Sequence, residues 1–163
     1  MSKKPEKTNV MRILDRAKIA YKSYDYSCTA ALSGTEVAAA LGKDPACTFK
    51  TLVTQGASKA YYVFMVPVAE ELDLKKAARA AGEKSIAMIK SKDLLPLTGY
   101  VHGGCSPIGM KKQFRTFIHL TAAEHETILF SAGKIGYQVE MPLAELQKLV
   151  PVAPADIVVT PSP

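Results

Sequence analysis

Apolar residues recur along the chain with two periods, and the points where the period changes outline its elements. Val10, Met11, Ile13, Leu14 and Ala17 fall on one side of a 3.6-residue turn. Thr8-Asn9 ahead of them can cap that start, which predicts a first helix. Residues 20–27 alternate instead. Tyr21, Ser23 and Asp25 point one way and Lys22, Tyr24 and Tyr26 the other, as in a strand. Ser33-Gly34-Thr35-Glu36 has capping-box spacing, so a second helix is expected through Val37 and Ala38 to Leu41, stopping at Gly42. Residues 48–54 and 61–68 are rich in β-forming side chains. They flank the polar Gln55-Gly56-Ala57-Ser58-Lys59, which reads as a hairpin.

Asp73 begins a helix over 74–81 that Gly82 closes. A short strand is expected at 85–89 and a short helix at 91–95, before Tyr100-Val101 enters a loop rich in Gly and Pro. Further strands are expected at 116–120 and 127–130. Ala132-Gly133-Lys134-Ile135-Gly136 turns the chain into another at 137–141. Pro142 suits the N1 position of a last helix over 143–149. From Pro151 on, the prolines predict a partly mobile tail, with Ile157-Val158-Val159 as a short edge strand. Strands and short helices mingle without a βαβ period, a repeat or a GxGxxG. The expected fold class is therefore α/β, a single compact domain with a curved, mixed, mostly antiparallel sheet and surrounding short helices. Residues 1–7 and 160–163 are expected to be mobile ends.

Composition narrows the function. A chain of 163 residues that is 48% hydrophobic and 22% charged can build the core of one domain. No apolar run approaches the ~20 residues needed to span a bilayer. Met1-Ser2-Lys3-Lys4-Pro5-Glu6-Lys7 leads into no apolar stretch, so a signal peptide is not expected and the cytoplasm is the expected location. Cys28, Cys47 and Cys105 are odd in number and form no CxxC; His102, His119 and His125 form no HExxH. Neither a disulfide framework, a metal site nor another cofactor is expected. The net charge of +6 fits a polyanionic partner such as RNA, and equally a solvated lysine-rich surface. With no Trp and no RNP-type aromatic motif, no sequence-reading module and no specific DNA binding are expected.

Four stretches carry more. They are Lys50-Thr51-Leu52; Val66-Pro67-Val68 followed by Leu72-Asp73-Leu74-Lys75-Lys76; Gly103-Gly104-Cys105-Ser106-Pro107-Ile108-Gly109; and Ser131-Ala132-Gly133-Lys134-Ile135-Gly136. In this order and at these separations the chain resembles the YbaK/EbsC family of aminoacyl-tRNA deacylases, related to the editing domain of bacterial prolyl-tRNA synthetase. The resemblance covers about residues 8–158. It implies an α/β editing fold and hydrolysis, in trans, of the ester joining a wrong amino acid to tRNA, Cys-tRNA(Pro) first among the substrates. The implied partners are the tRNA acceptor end and a prolyl-tRNA synthetase. A second hydrolytic site of this kind answers a physical limit, since a synthetase pocket separates small side chains by only ~1–3 kcal/mol per methylene.

Lys50, read alone, is either an edge-strand lysine that discourages aggregation or a cation pointing into a cleft. It matches the family's essential lysine, and the resemblance implies a catalytic role for it and for Gly103. Gly103 to Pro107 matches a GxxxP loop, in which glycines allow backbone to approach a ligand and Pro107 stiffens the turn. Thr51, Gly104, Ser106, Ser131, Gly133 and Gly136 match further positions implied to bind substrate. Tyr24 stands at the spacing from Lys50 of a YbaK-type tyrosine, which leaves it either contacting substrate, by stacking on the adenine for example, or packing in the core. Two positions depart from the pattern. Gln138 stands where an aspartate is common and Ser33 where an aromatic is common, which leaves the choice of amino acid open. Gln138 can hydrogen-bond to substrate but cannot pair with its ammonium as a carboxylate would. Two rival functions remain at this point: a non-catalytic nucleotide- or RNA-binding regulator of EbsC type, and a hydrolase that uses Cys105 as nucleophile beside His102.

Overall fold

The computed structural model describes residues 7–27, 29 and 33–160. The expected mobile ends fall mostly outside these residues, as does Cys28. Helix α1 (Asn9–Arg16) starts where Thr8 Oγ1 accepts the Met11 N–H. Helix α2 (Gly34–Ala40) has its capping box complete. The Glu36 N–H donates to Ser33 Oγ at 3.2 Å and the Ser33 N–H to Glu36 Oε1 at 3.1 Å. Helix α3 (Leu74–Ala81) begins with the Asp73 carboxylate accepting the N–H groups of Lys75 and Lys76. It ends in Gly82, at a left-handed φ of 73°.

The strands form two sheets. In one, β1 (Lys22–Asp25) pairs antiparallel with β7 (Tyr137–Met141), which pairs antiparallel with β6 (Ile128–Ser131). In the other, β2 (Phe49–Gly56) and β3 (Tyr61–Pro67) form the expected hairpin, with Phe49 opposite Pro67 and Gln55 opposite Tyr61. The short β4 (Ile86–Met88) flanks β2, while β5 (Arg115–His119) and β8 (Val152–Ala155) extend the sheet beyond β3, giving the order β4-β2-β3-β5-β8. The β3–β5 and β5–β8 pairings are parallel and the others antiparallel. The arrangement is thus α/β, mixed and mostly antiparallel. A bridge between Thr48 and Leu129 joins the two sheets.

The larger sheet carries apolar residues on both faces. Phe49, Val53, Val63 and Met65 pack with α1 and the smaller sheet, while Tyr62, Phe64 and Val66 pack under α3 with Phe117 and Ile157. Phe64 and Phe117 stack at 5.3 Å between centroids. Two-sided burial explains why residues 61–68 read as a nearly continuous apolar run.

Three expectations need correcting. Helix α4 (Ser91–Thr98) does not stop at Leu95 but runs through Pro96. Its last turn is tied by Thr98 Oγ1 donating to the Leu94 carbonyl at 2.7 Å and by the Gly99 N–H donating to the Leu95 carbonyl at 2.8 Å. Helix α5 (Leu143–Leu146) is shorter than expected, and Pro142 stands at its cap rather than in its first turn. Past Leu146 the bonds tighten, Lys148 N–H to the Glu145 carbonyl and Leu149 N–H to the Leu146 carbonyl. Val150 then precedes Pro151, which disfavours further helix. The tail from Pro151 is part of the sheet: β8 precedes the expected edge strand, and Val158 contributes only a bridge to Leu72. Pro154 is tolerated because β8 lies on the edge, where a missing N–H costs no ladder bond. No helix among the described residues is long and apolar enough to cross a membrane.

His119 pins this C-terminal segment. The Ile157 N–H donates to His119 Nδ1 at 3.3 Å, and Ile157 is fully buried. Burial holds the imidazole below its ordinary value, against the pull of Asp156. A His whose folded value is depressed favours the fold while neutral. Its contribution is present above the unfolded value of about 6.5 and is lost as pH falls toward the folded value. Denaturant midpoints of wild type and His119→Gln, measured from about pH 7.5 down to about 5, should therefore converge as pH falls. A gap that stays constant with pH would remove His119 from the acid response.

Candidate functional site

The candidate cleft follows from how the two edges of β2 are paired. Strand β3 covers one edge of β2 along its length, but β4 covers the other only from Thr54 to Gly56. Beside Lys50, Thr51 and Leu52 that second edge faces a cleft of about 390 Å³. Ser131 and Gln138 close its opposite side from the smaller sheet, where they are directly paired neighbours on β6 and β7. The start of α2 forms one end, with Ser33, Gly34 and Thr35. A Cβ on Gly34 would sit 2.6 Å from Val68 Cγ1, so only glycine lets this helix approach the end of β3 so closely. His102, Gly103 and Cys105 form the other lip. Gly103 holds a left-handed φ of 87°, a conformation that side chains other than glycine's resist.

The structure thus brings Lys50, Thr51, Gly103, Ser131 and Gln138 together. Among the described residues, Lys50 has no ion-pair partner. Thr51 Oγ1 and Gln138 Oε1 are buried without a hydrogen-bond partner. Ser131 Oγ accepts the Gly133 N–H at 3.1 Å, which shapes the turn behind it.

The other expected site residues lie outside the cleft lining and shape it from behind. Gly104 packs against the backbone of Lys134 and Ile135, Gly133 against Val10 and Tyr100, and Gly136 against Ser27. Ser106 is fully buried and its Oγ accepts the Ile108 N–H, while Pro107 is buried beside it. Tyr24 is engaged elsewhere. Its hydroxyl donates to Glu140 Oε1 at 2.5 Å, and Lys43 Nζ lies 5.0 Å from its ring centroid. Thr127 Oγ1 donates to Glu140 Oε2 at 2.6 Å. Burial raises the Glu140 carboxyl, but the bonds from Thr127 and Tyr24 and the charge of Lys43 bring it below its usual value. Tyr26, two residues on along the same face as Tyr24, lines the cleft instead. The alternation of residues 20–27 already placed both tyrosines on one face. The contacts of Tyr24 with Glu140 and Lys43 separate the two, and Tyr26 is the one at the cleft.

Cys105 lines the cleft but is 7% exposed, and burial pushes its thiol up to about 12. A thiolate is the nucleophile, so Cys105 is poorly suited to that task. No three His, Cys, Asp or Glu side chains gather as a metal site among the described residues. Alkylation followed by peptide mapping tests the thiol. At about pH 8, Cys105 should react roughly a thousandfold more slowly than a free cysteine. Rapid labelling of Cys105 in the folded protein would restore the nucleophile reading.

Residues 29–149 match the aminoacyl-tRNA editing domain. A curated protein of Enterococcus faecalis (strain ATCC 700802 / V583), named "Putative Cys-tRNA(Pro)/Cys-tRNA(Cys) deacylase EbsC", is 46% identical over 140 residues, 85% of each chain. Two solved structures share the fold. One, of "a putative trans-editing enzyme for prolyl tRNA synthetase", has a TM-score of 0.82 at 22% identity and covers 98% of this chain and 100% of its own. The other, of a hypothetical protein, has a TM-score of 0.84 at 18% identity and covers 93% of this chain and 100% of its own. With a family match over residues 29–149 and a relative this similar over most of both lengths, the chain belongs to the aminoacyl-tRNA editing domain family.

Proposed function

We propose that this protein is a trans-editing aminoacyl-tRNA deacylase whose preferred substrate is Cys-tRNA(Pro). The observation that carries the reading is the cleft itself, where an unpaired lysine, an open strand edge and a left-handed glycine loop converge. About 390 Å³ suits a small aminoacyl group with part of its terminal nucleoside, and not a nucleic-acid duplex. The remainder of the tRNA stays outside, and a synthetase such as prolyl-tRNA synthetase supplies its selection. The working unit spans residues 8–158 and acts in the cytoplasm.

Hydrolysis of an ester needs a nucleophile, stabilisation of the carbonyl oxygen as it gains charge, and a leaving group that departs easily. Lys50 supplies positive charge where the oxygen, or the departing ribose oxygen, becomes anionic. On this reading a free backbone N–H of the Gly103 loop adds to it. Cys105 is held as a neutral thiol, so the protein does not offer it as nucleophile. The nucleophile comes with the substrate. A cysteinyl side chain attacks its own ester carbonyl, the tRNA hydroxyl leaves, and a cyclic thiolactone is released. Holding thiol and ester together can be worth about 7–11 kcal/mol. For alanine or serine a bound water takes the place of the thiol. Gly104, Ser106, Pro107, Gly133 and Gly136 position the loops, and Tyr24 anchors the sheet behind the cleft.

The test is a deacylation panel of Cys-, Ala-, Ser- and Pro-tRNA(Pro) with Cys-tRNA(Cys), run with a chelator. Wild type should release cysteine fastest, Lys50→Ala should lose about 10²-fold or more, and Cys105→Ser should stay near wild type. A folded wild-type protein that hydrolyses no member of the panel would defeat the reading. Loss of activity in Cys105→Ser would hand the chemistry to that thiol.

A further inference from the structure

Gln138 carries a polar atom that nothing in the described structure satisfies. The residue is 8% exposed, it lines the cleft, and its Oε1 has no hydrogen-bond partner. Thr51 Oγ1, on the facing strand, is a second buried atom without one. Native proteins leave few buried polar groups unpaired, and two in one cleft mark places where a ligand completes the bonding.

The charges around these atoms say what kind of ligand group fits. The titratable side chains lining the cleft are Lys50, His102, Tyr26 and Cys105, and none is a carboxylate. The residues near α2 that lie outside the description, Cys28, Ala30, Ala31 and Leu32, carry none either. The neighbouring carboxylates are committed elsewhere. Glu140, two residues along β7, accepts from Tyr24 and Thr127 and pairs with Lys43. Glu36 closes the capping box, and Asp25 accepts the N–H and hydroxyl of Ser27. Glu70, beyond Val68, does not line the cleft. An ammonium entering this cleft would meet the charge of Lys50 and find no carboxylate among the described residues that line it. Like charge and partial desolvation both favour its neutral form.

On the deacylase reading, we propose that the cleft receives the α-nitrogen of the aminoacyl group as an uncharged N–H donor, held by the side-chain oxygens of Gln138 and Thr51. N-blocked aminoacyl esters are then substrates as well as free ones. An amide N–H offers the same donor as a neutral amine, and no carboxylate selects against the loss of charge. The free α-amine is already partly neutral near pH 7.5, since an α-amino group titrates at about 7.7–8.0.

The experiment uses two non-hydrolysable probes, adenosine carrying alanine through a 3′-amide and its N-acetyl counterpart. Dissociation constants are measured by calorimetry at about pH 6 and about pH 8.5. Wild type should bind the free-amine probe ~10-fold or more tightly at the higher pH, following neutralisation of the amine. The N-acetyl probe should bind independently of pH, within about threefold of the better value. Gln138→Glu should invert the pH preference for the free amine. Gln138→Met, which keeps the volume and removes the oxygen, should weaken both probes, with thermal melts confirming that each variant folds. Tighter binding of the free amine at pH 6 by wild type, or rejection of the N-acetyl probe by more than about 30-fold, overturns the inference. If that happens while the tRNA panel is still hydrolysed, only this inference fails. If neither probe binds and no panel member is hydrolysed, both readings fall.

Discussion

Among the described residues the two sheets are joined by one backbone bridge, between Thr48 and Leu129, and the cleft depends on that bridge being single. Beyond it the strands run in the same sense without further pairing, and two residues along each stand Lys50 and Ser131, on opposite walls. Had the pairing continued, β2 and β6 would have closed into one sheet and filled the space with ladder bonds. Thr48 is held for this task from several sides. It is fully buried, its Oγ1 donates to the Asp44 carbonyl, and its own carbonyl accepts the Val68 N–H. A lysine two residues from such an anchor has its backbone fixed before any ligand arrives, which is what electrostatic preorganisation requires.

Local chemistry made much of this fold legible from the sequence. Thr8, the Ser33–Glu36 pair, Asp73 and Gly82 each act through bonds within a few residues, and each stands where its motif placed it. Non-local pairing was not legible. Nothing in residues 116–120 distinguishes a strand that will lie parallel to β3 from one that will not. Nothing in Val152-Ala153-Pro154-Ala155 announces a strand, because Pro154 denies it the usual signal. That segment is ordered by what it meets, β5 alongside and the buried Ile157 just after it. Pro96 misled in the same way, since the bonds of Thr98 and Gly99 hold the last turn of α4 together.

The site divides along a similar line. Family motifs located Lys50, Thr51, Gly103, Ser131 and Gln138, all of which reach the cleft. The same motifs include Gly104, Ser106, Pro107, Gly133 and Gly136, whose work is to let two loops pack against each other and against α1 and Tyr100. A motif records every residue that a site needs and does not separate contact from support. Tyr24 and Tyr26 show the remaining gap. A period of two puts both on one face, but the Glu140–Lys43–Thr127 cluster draws the first away and leaves the second at the cleft.

Electrostatic economy ties these observations together. The cleft presents one lysine and several neutral hydrogen-bonding groups, and its cysteine is kept protonated by burial. Positive charge without a neighbouring carboxylate stays fully available to an oxygen that becomes anionic, whereas a buried acid would pair with the lysine and spend its field in the ground state. Gln138 supplies hydrogen-bonding capacity in the same cleft without adding a charge. On the deacylase reading, a neutral residue there gives an ammonium no partner and leaves the charge of Lys50 for the reacting ester. On that reading, recognition of the α-nitrogen and stabilisation of the carbonyl oxygen both depend on residue 138 staying uncharged.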